Sequence, residues 1–126
     1  MCRGRKAGLE EIKIYTTYFG GLKKRLREGI KPISICLKPI PGWTGLEYKT
    51  LAPTWDIKRD QEHFDERFRN EILGRLDKNK IFQDLMELSG GSDIALVCYE
   101  KPGDYCHRHL VAEWLGFDPD SIELGE

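Results

Sequence analysis

The stretch DIALVCYEKPGDYCHRHLVAEWL, residues 93–115, decides the fold. Residues 94–98 form an apolar run that is too short for a typical helix and suits a strand buried on both faces, as in parallel sheets. The Pro-Gly pair that follows is typical of a tight turn. Leu110, Val111 and Trp114 then recur at the spacing of one helix face. The stretch therefore predicts a strand, a turn and an amphipathic helix.

Reactive side chains crowd the junction between this strand and this helix. Cys106 falls in the predicted first turn, where the positive end of the helix dipole favours a thiolate over a thiol. Cys106, His107 and Glu100 are therefore predicted to be catalytic, the last two as proton handlers. Arg108 and Lys101 are predicted to hold an anionic ligand near the helix N-terminus. The competing interpretations are that Cys106 only fills space at the helix start, that His107 is a structural histidine bonded to backbone on the core-facing side, and that Arg108 is an ordinary surface charge.

Length and composition are those of one soluble domain. The 126 residues can bury a single core, and 33% charged with 40% hydrophobic residues is ordinary for a globular protein. Lys and Arg number 20 against 21 Asp and Glu, so the net charge indicates no partner class and the oligomeric state stays unknown. No apolar run approaches the roughly 18 residues of a membrane span, and no hydrophobic segment follows the basic N-terminus. We therefore expect a cytoplasmic protein without a membrane partner.

The four cysteines are expected to be reduced thiols. The helix-rich pattern and the missing secretory signal argue against a disulfide framework. Cys36 and Cys98 fall in predicted strands, where small buried thiols are common. Cys98, Cys106 and His107 could instead hold zinc, because nitrogen and sulfur ligands suit this metal. Their spacing matches no zinc knuckle or deaminase pattern, so no cofactor is predicted and the zinc site is the weaker alternative.

The rest of the chain predicts further strands and helices. Residues 12–18 and 33–37 have strand composition, with a short basic helix between them. Residues 38–59 are rich in Pro, Gly and aromatic residues and predict a long loop, either packed by its own side chains or forming a ligand wall. Apolar spacing predicts two more helices over residues 64–76 and 81–88.

This element order favours a single compact α/β domain with a small parallel sheet of about three strands and helices on both faces. Residues 1–11 are expected to form a flexible N-terminal tail and residues 117–126 an acidic C-terminal tail. If the first strand lies between the other two, ligands should bind beyond the carboxyl ends of the strands at that point. Tyr15, Thr16 and Tyr18 are then predicted to bind ligand beside the strand-to-helix junction.

Three segments, CYEKPGDYCHRHLVAEWL, IYTTYFG and YKTLAPTW, resemble the short members of the family known as domain of unknown function four-eight-eight. The resemblance covers residues 12–115. Its most specific part is Cys98, Glu100 and the run Cys106-His107-Arg108. The resemblance implies a compact α/β fold and an intracellular protein of bacteria, archaea or phages, and it implies no established activity.

Three functions follow from these residues as alternatives. The first is an enzyme that acts on a nucleotide-like or other anionic small molecule, with Cys106 as nucleophile or redox thiol. The second is a module that binds nucleic acid or a nucleotide without catalysis, stacking bases on Trp43 or Trp55. The near-neutral net charge counts against nucleic acid. The third is a zinc-site protein.

Overall fold

Four parallel strands form one sheet within the described residues. The computed structural model describes residues 12–20, 22–26, 28–99 and 107–124. The prediction of a compact α/β fold is confirmed, with four strands instead of about three. The strands are β1 (Ile14–Tyr18), β2 (Ile30–Ser34), β3 (Leu46–Glu47) and β4 (Asp93–Cys98), and they lie in the order β1-β4-β2-β3.

Strand β4 lies inside the sheet, with a strand on either side. It pairs with β1 from Ile14–Ile94 to Tyr18–Cys98 and with β2 along its other side. The strand order assumed from the sequence, with β1 between the others, is therefore wrong. The physical reason is burial: residues 94–98 are apolar and fully buried, as a strand covered on both faces must be. Strand β1 carries a half-buried Tyr15 and Tyr18 and lies beside β4 only.

Strand β2 begins three residues earlier than predicted and includes a proline. Ile35 donates its backbone N–H to Val97 at 3.1 Å, on the β4 side, whereas the Ser34 carbonyl accepts from Tyr48 on the β3 side. Since backbone groups alternate in direction along a strand, the nitrogen of Pro32 faces the β3 side. Strand β3 pairs only from Ile33 onwards, so the missing N–H of Pro32 costs no ladder hydrogen bond.

In the described chain, one short helix separates β1 from β2, most of the helical segments lie between β3 and β4, and two helices follow β4. The segment that begins at Phe64 continues through a π-helical turn (Phe68–Ile72) and a 3-10 turn (Leu73–Arg75), so the helix predicted over 64–76 is present with mixed geometry. The helices are α1 (Leu22–Arg25), α2 (Trp55–Arg59), α3 (Phe64–Arg67), α4 (Lys78–Ser89), α5 (His107–Trp114) and α6 (Pro119–Ile122). None of them is long and apolar enough to span a membrane, within the part of the chain described.

Residues 38–59 are not one long loop. They contain β3, a 3-10 turn at Lys49–Leu51 and helix α2. Trp43 holds the remaining loop in place: its Nε1 donates to the Leu46 carbonyl at 3.1 Å, and its ring packs edge-on against Phe19. A Cβ atom at Gly45 would lie 2.7 Å from the Trp43 ring, so this packing requires glycine there. Trp43 therefore serves the fold of the loop.

The acidic C-terminal segment packs against β1. Glu123 forms a parallel bridge with Thr16, and the backbone N–H of Leu124 donates to the Thr16 carbonyl at 2.8 Å. Leu124 is buried. The segment therefore covers the side of β1 that faces away from β4 and satisfies its backbone groups. The predicted N-terminal tail, residues 1–11, lies outside the described residues.

Candidate ligand-binding site

A cavity of about 160 Å³ lies at the carboxyl ends of β2 and β4. This is the edge of a parallel α/β sheet at which ligands bind. Leu37 and Pro53 form apolar parts of the cavity wall. The other lining residues come from the segment after β2, from helix α2, from the residue after β4 and from the start of α5: Cys36, Lys38, Trp55, Lys58, Tyr99 and His107.

The charge of the cavity is positive. Lys38 and Lys58 both line it, and both are exposed to solvent. Among the described lining residues there is no carboxylate to neutralise them. The cavity therefore favours an anionic ligand over a neutral or cationic one.

His107 is held in one tautomer at the base of helix α5. Its Nε2 lies 2.7 Å from the carbonyl oxygen of Ile35, and since a carbonyl only accepts, Nε2 carries the proton. Nδ1 is then the nitrogen with the lone pair. Burial, with added repulsion from Lys58 and Arg108, lowers the pKa of His107 to about 4. Phe68 packs edge-on against the ring at a centroid distance of 5.3 Å. His107 is therefore a neutral imidazole near neutral pH.

The lowered pKa of His107 makes stability depend on pH. Between pH 6.5 and about 4 the unfolded chain binds a proton that the folded chain excludes, so stability falls as the pH drops through this range. From about pH 7 to about pH 5 the expected loss is about 2 kcal/mol in the free energy of unfolding. The variant His107→Gln keeps a hydrogen-bond donor for the Ile35 carbonyl but does not titrate. We expect urea denaturation of this variant to show no such loss of stability between about pH 7 and about pH 5. If the free energy of unfolding of the variant fell with pH as much as that of the unmodified protein, His107 would not be the cause of the loss.

Arg108 belongs to a separate buried network on the β1 side of β4. Its guanidinium is fully buried, and its Nε and Nη2 donate to the two carboxylate oxygens of Glu123 at 3.0 and 2.9 Å. Thr16 Oγ1 donates to the same carboxylate at 2.7 Å. Arg108 Nη1 donates to Cys98 Sγ at 3.2 Å, and the Tyr18 ring lies 5.9 Å from the guanidinium carbon. The network ties α5, β1, β4 and the C-terminal segment together.

The electrostatics of this network favour the charged pair. Burial raises the pKa of Glu123, but the hydrogen bonds from Arg108 and Thr16 outweigh burial and hold the pKa below its usual value. His109 adds a weaker contact to Glu123 at 3.5 Å. Glu123 therefore remains ionised and neutralises Arg108 inside the protein.

The predicted ligand-binding residues fall in two places. Thr16 and Arg108 both donate to the carboxylate of Glu123, and the Tyr18 ring lies beside the guanidinium of Arg108. Tyr15 points to the opposite face of the sheet from Thr16, because side chains alternate along a strand. None of these four residues lines the cavity at the ends of β2 and β4.

Three residues predicted at the junction, Glu100, Lys101 and Cys106, lie outside the described residues. Their place in the chain still relates them to the cavity. Glu100 directly follows Tyr99, and Cys106 directly precedes His107. Both Tyr99 and His107 line the cavity.

The cysteines differ in oxidation state. Cys36, in the cavity wall, carries a reduced thiol. Cys98 is disulfide-bonded, so the expectation of four reduced thiols does not hold for this residue. Cys98 in this state offers no thiolate to a metal. Among the described residues, no group of three or more His, Cys, Asp or Glu side chains is placed to hold a metal ion.

Sequence reasoning missed Lys38, Lys58 and Glu123. Lys58 follows Trp55 by three residues, the spacing that places two side chains on one face of a helix. That signal is visible only once a helix is recognised at residues 55–59. Glu123 gave no signal, because its partner Arg108 lies 15 residues away on another element.

The fold and cavity define a small parallel α/β protein with a cationic site at the carboxyl edge of its sheet. The chain belongs to the DUF488 family: the model DUF488-N3a, described as the active DUF488-N3 subclade, matches residues 28–117. The match includes every described residue that lines the cavity and excludes Thr16 and Glu123. No curated protein and no solved structure matches the chain.

Proposed function

We propose that the chain is an enzyme that acts on a nucleotide-like anionic small molecule bound in the cavity at the ends of β2 and β4. One observation carries the proposal: the cavity joins Lys38 and Lys58 to His107, a buried imidazole of fixed tautomer. Lysines attract and orient an anionic group, and a neutral imidazole can accept a proton. The description of the matched family model as active agrees with catalysis.

Cys106, as a thiol in the reduced protein, is the proposed nucleophile of this enzyme. The thiolate forms a bond to an electrophilic centre of the ligand as the bond from that centre to a leaving group breaks. Glu100 or His107 takes the thiol proton and delivers it to the leaving group. Cys106 is adjacent in the chain to His107, and the cation of Lys58 near His107 would stabilise a thiolate there. The proposed compartment is the cytoplasm, where disulfides such as that of Cys98 are usually transient and catalytic or redox-sensing.

The lysines provide the test of ligand binding. AMP, titrated into the protein in a calorimeter, is expected to bind at least about tenfold more weakly to Lys58→Gln and to Lys38→Gln than to the unmodified protein. The reason is that each variant loses a hydrogen bond from a charged donor to the phosphate. The matched control is Lys24→Gln, an exposed lysine on α1 that does not line the cavity. Equal affinity in the cavity variants and in this control would contradict the proposed site.

The nucleophile is tested in the same preparations. Rates of alkylation at Cys106, followed by mass spectrometry across pH after reduction of the protein, give the pKa of the thiol. The proposal expects a pKa below the ordinary value of about 8.5. A pKa at or above that value would remove Cys106 from the mechanism and leave the anion site to be judged on the lysine variants.

A further inference from the structure

We infer that the ligand of the cavity is a nucleotide whose base stacks on Trp55, with Tyr99 as a second aromatic wall, while its phosphate pairs with Lys38 and Lys58. The inference rests on the proposed function, because it assigns a ligand to the same cavity. It adds the part of the ligand that the lysines cannot select, namely a planar aromatic ring.

Exposure is the first support. Trp55 is 50% exposed and Tyr99 is 40% exposed, and they are the large hydrophobic side chains left open to solvent among the described residues. Both line the same cavity. Large apolar rings exposed at one cavity are costly to solvate and are typical of a binding surface.

Tyr99 directly follows β4, and Trp55 lies on a capped helix. Tyr99 packs edge-on against Phe19, with centroids 5.2 Å apart. Phe19 is buried and packs in turn against Trp43. Trp55 lies in the first turn of α2, whose N-cap Thr54 accepts a hydrogen bond from the backbone N–H of Ile57. A ring held by a neighbour before binding, as Tyr99 is, loses little conformational freedom when a base stacks on it.

The cavity is too small to enclose a whole nucleotide. A volume of about 160 Å³ is roughly half of the ~300 Å³ at the lower end of small-molecule pockets. The cavity therefore encloses only part of a nucleotide. Lys58 lies one helical turn after Trp55, so a phosphate on the lysine leaves the base beside the indole ring.

Calorimetric titrations with AMP, ribose phosphate and inorganic phosphate test this inference. We expect AMP to bind at least about tenfold more tightly than ribose phosphate, since stacking of one base on an aromatic ring has this effect. Trp55→Ala should remove the advantage of AMP without weakening ribose phosphate, and Trp55→Phe should keep most of it. Trp114→Phe, on α5 and outside the cavity lining, is the matched control.

The outcomes separate the inference from the proposed function. If ribose phosphate binds and depends on Lys58, but AMP binds no more tightly or Trp55→Ala leaves the ratio unchanged, base stacking is refuted and the anion site stands. If none of the three probes binds, both fail. A single-stranded decanucleotide shows whether the ligand is a free nucleotide or part of a nucleic acid. Tighter binding of AMP than of the decanucleotide supports a free nucleotide. Tighter binding of the decanucleotide refutes it in favour of a nucleic acid.

Discussion

Replacing Arg108 by methionine is expected to lower the free energy of unfolding by about 3 to 5 kcal/mol, because Glu123 would be left buried without its cationic partner. Arg108 is fully buried and the side chain of Glu123 is only 12% exposed, so water cannot take over the lost hydrogen bonds. Urea denaturation at neutral pH measures the loss directly.

Two further variants show whether the buried pair is the cause. The double variant Arg108→Met with Glu123→Leu should recover most of the loss, since a buried ion pair can often be replaced by apolar residues at little cost. Arg69→Met removes a surface pair in which both side chains are 53% exposed, and it should cost less than about 1 kcal/mol. A loss for Arg108→Met no larger than that for Arg69→Met would refute the structural role of the pair.

The second large effect is expected at Phe68, which joins the core to the cavity wall. Phe68 is fully buried, stacks on Phe64 at a centroid distance of 5.8 Å and contacts the His107 ring edge-on. Phe68→Ala should therefore lower the free energy of unfolding by about 3 to 5 kcal/mol. The space left behind should also admit water to His107, whose pKa should rise from about 4 toward 6.5.

An NMR titration of His107 measures this second effect. The matched control is Phe82→Ala on helix α4, a half-buried phenylalanine that packs at the margin of the core. Phe82→Ala should lower the free energy of unfolding by less than Phe68→Ala does and should leave the pKa of His107 near 4. A His107 pKa that stays near 4 in Phe68→Ala would show that Phe68 does not keep water from the imidazole.

The elements that could be predicted are those with a strong local signal. The run at residues 94–98 and the apolar stripe of α5 depend on short-range periodicity, and both are present. The placement of β4 inside the sheet depends on pairing between strands far apart in the chain, which periodicity does not report. Within residues 38–59, β3 forms because the backbone of β2 offers it partners, whereas the composition of the segment indicates only turns.

Only part of the cavity lining could be predicted from the sequence. His107 was singled out from its position at a helix start, and it does line the cavity. Lys38 and Lys58 reach the same cavity from segments that look like loop surface in the sequence. Arg108, which is predicted from the sequence to hold an anionic ligand, donates to an internal carboxylate, that of Glu123, from the last residues described. Long-range contacts of this kind become visible only in three dimensions.

A crystal structure of the protein with AMP tests most directly whether the cavity at the ends of β2 and β4 binds a nucleotide. The expected result places a phosphate oxygen within about 3.2 Å of the Nζ atoms of Lys38 or Lys58 and the adenine against Trp55. AMP bound away from this cavity, for example against the basic helix α1, would contradict nucleotide binding in the cavity.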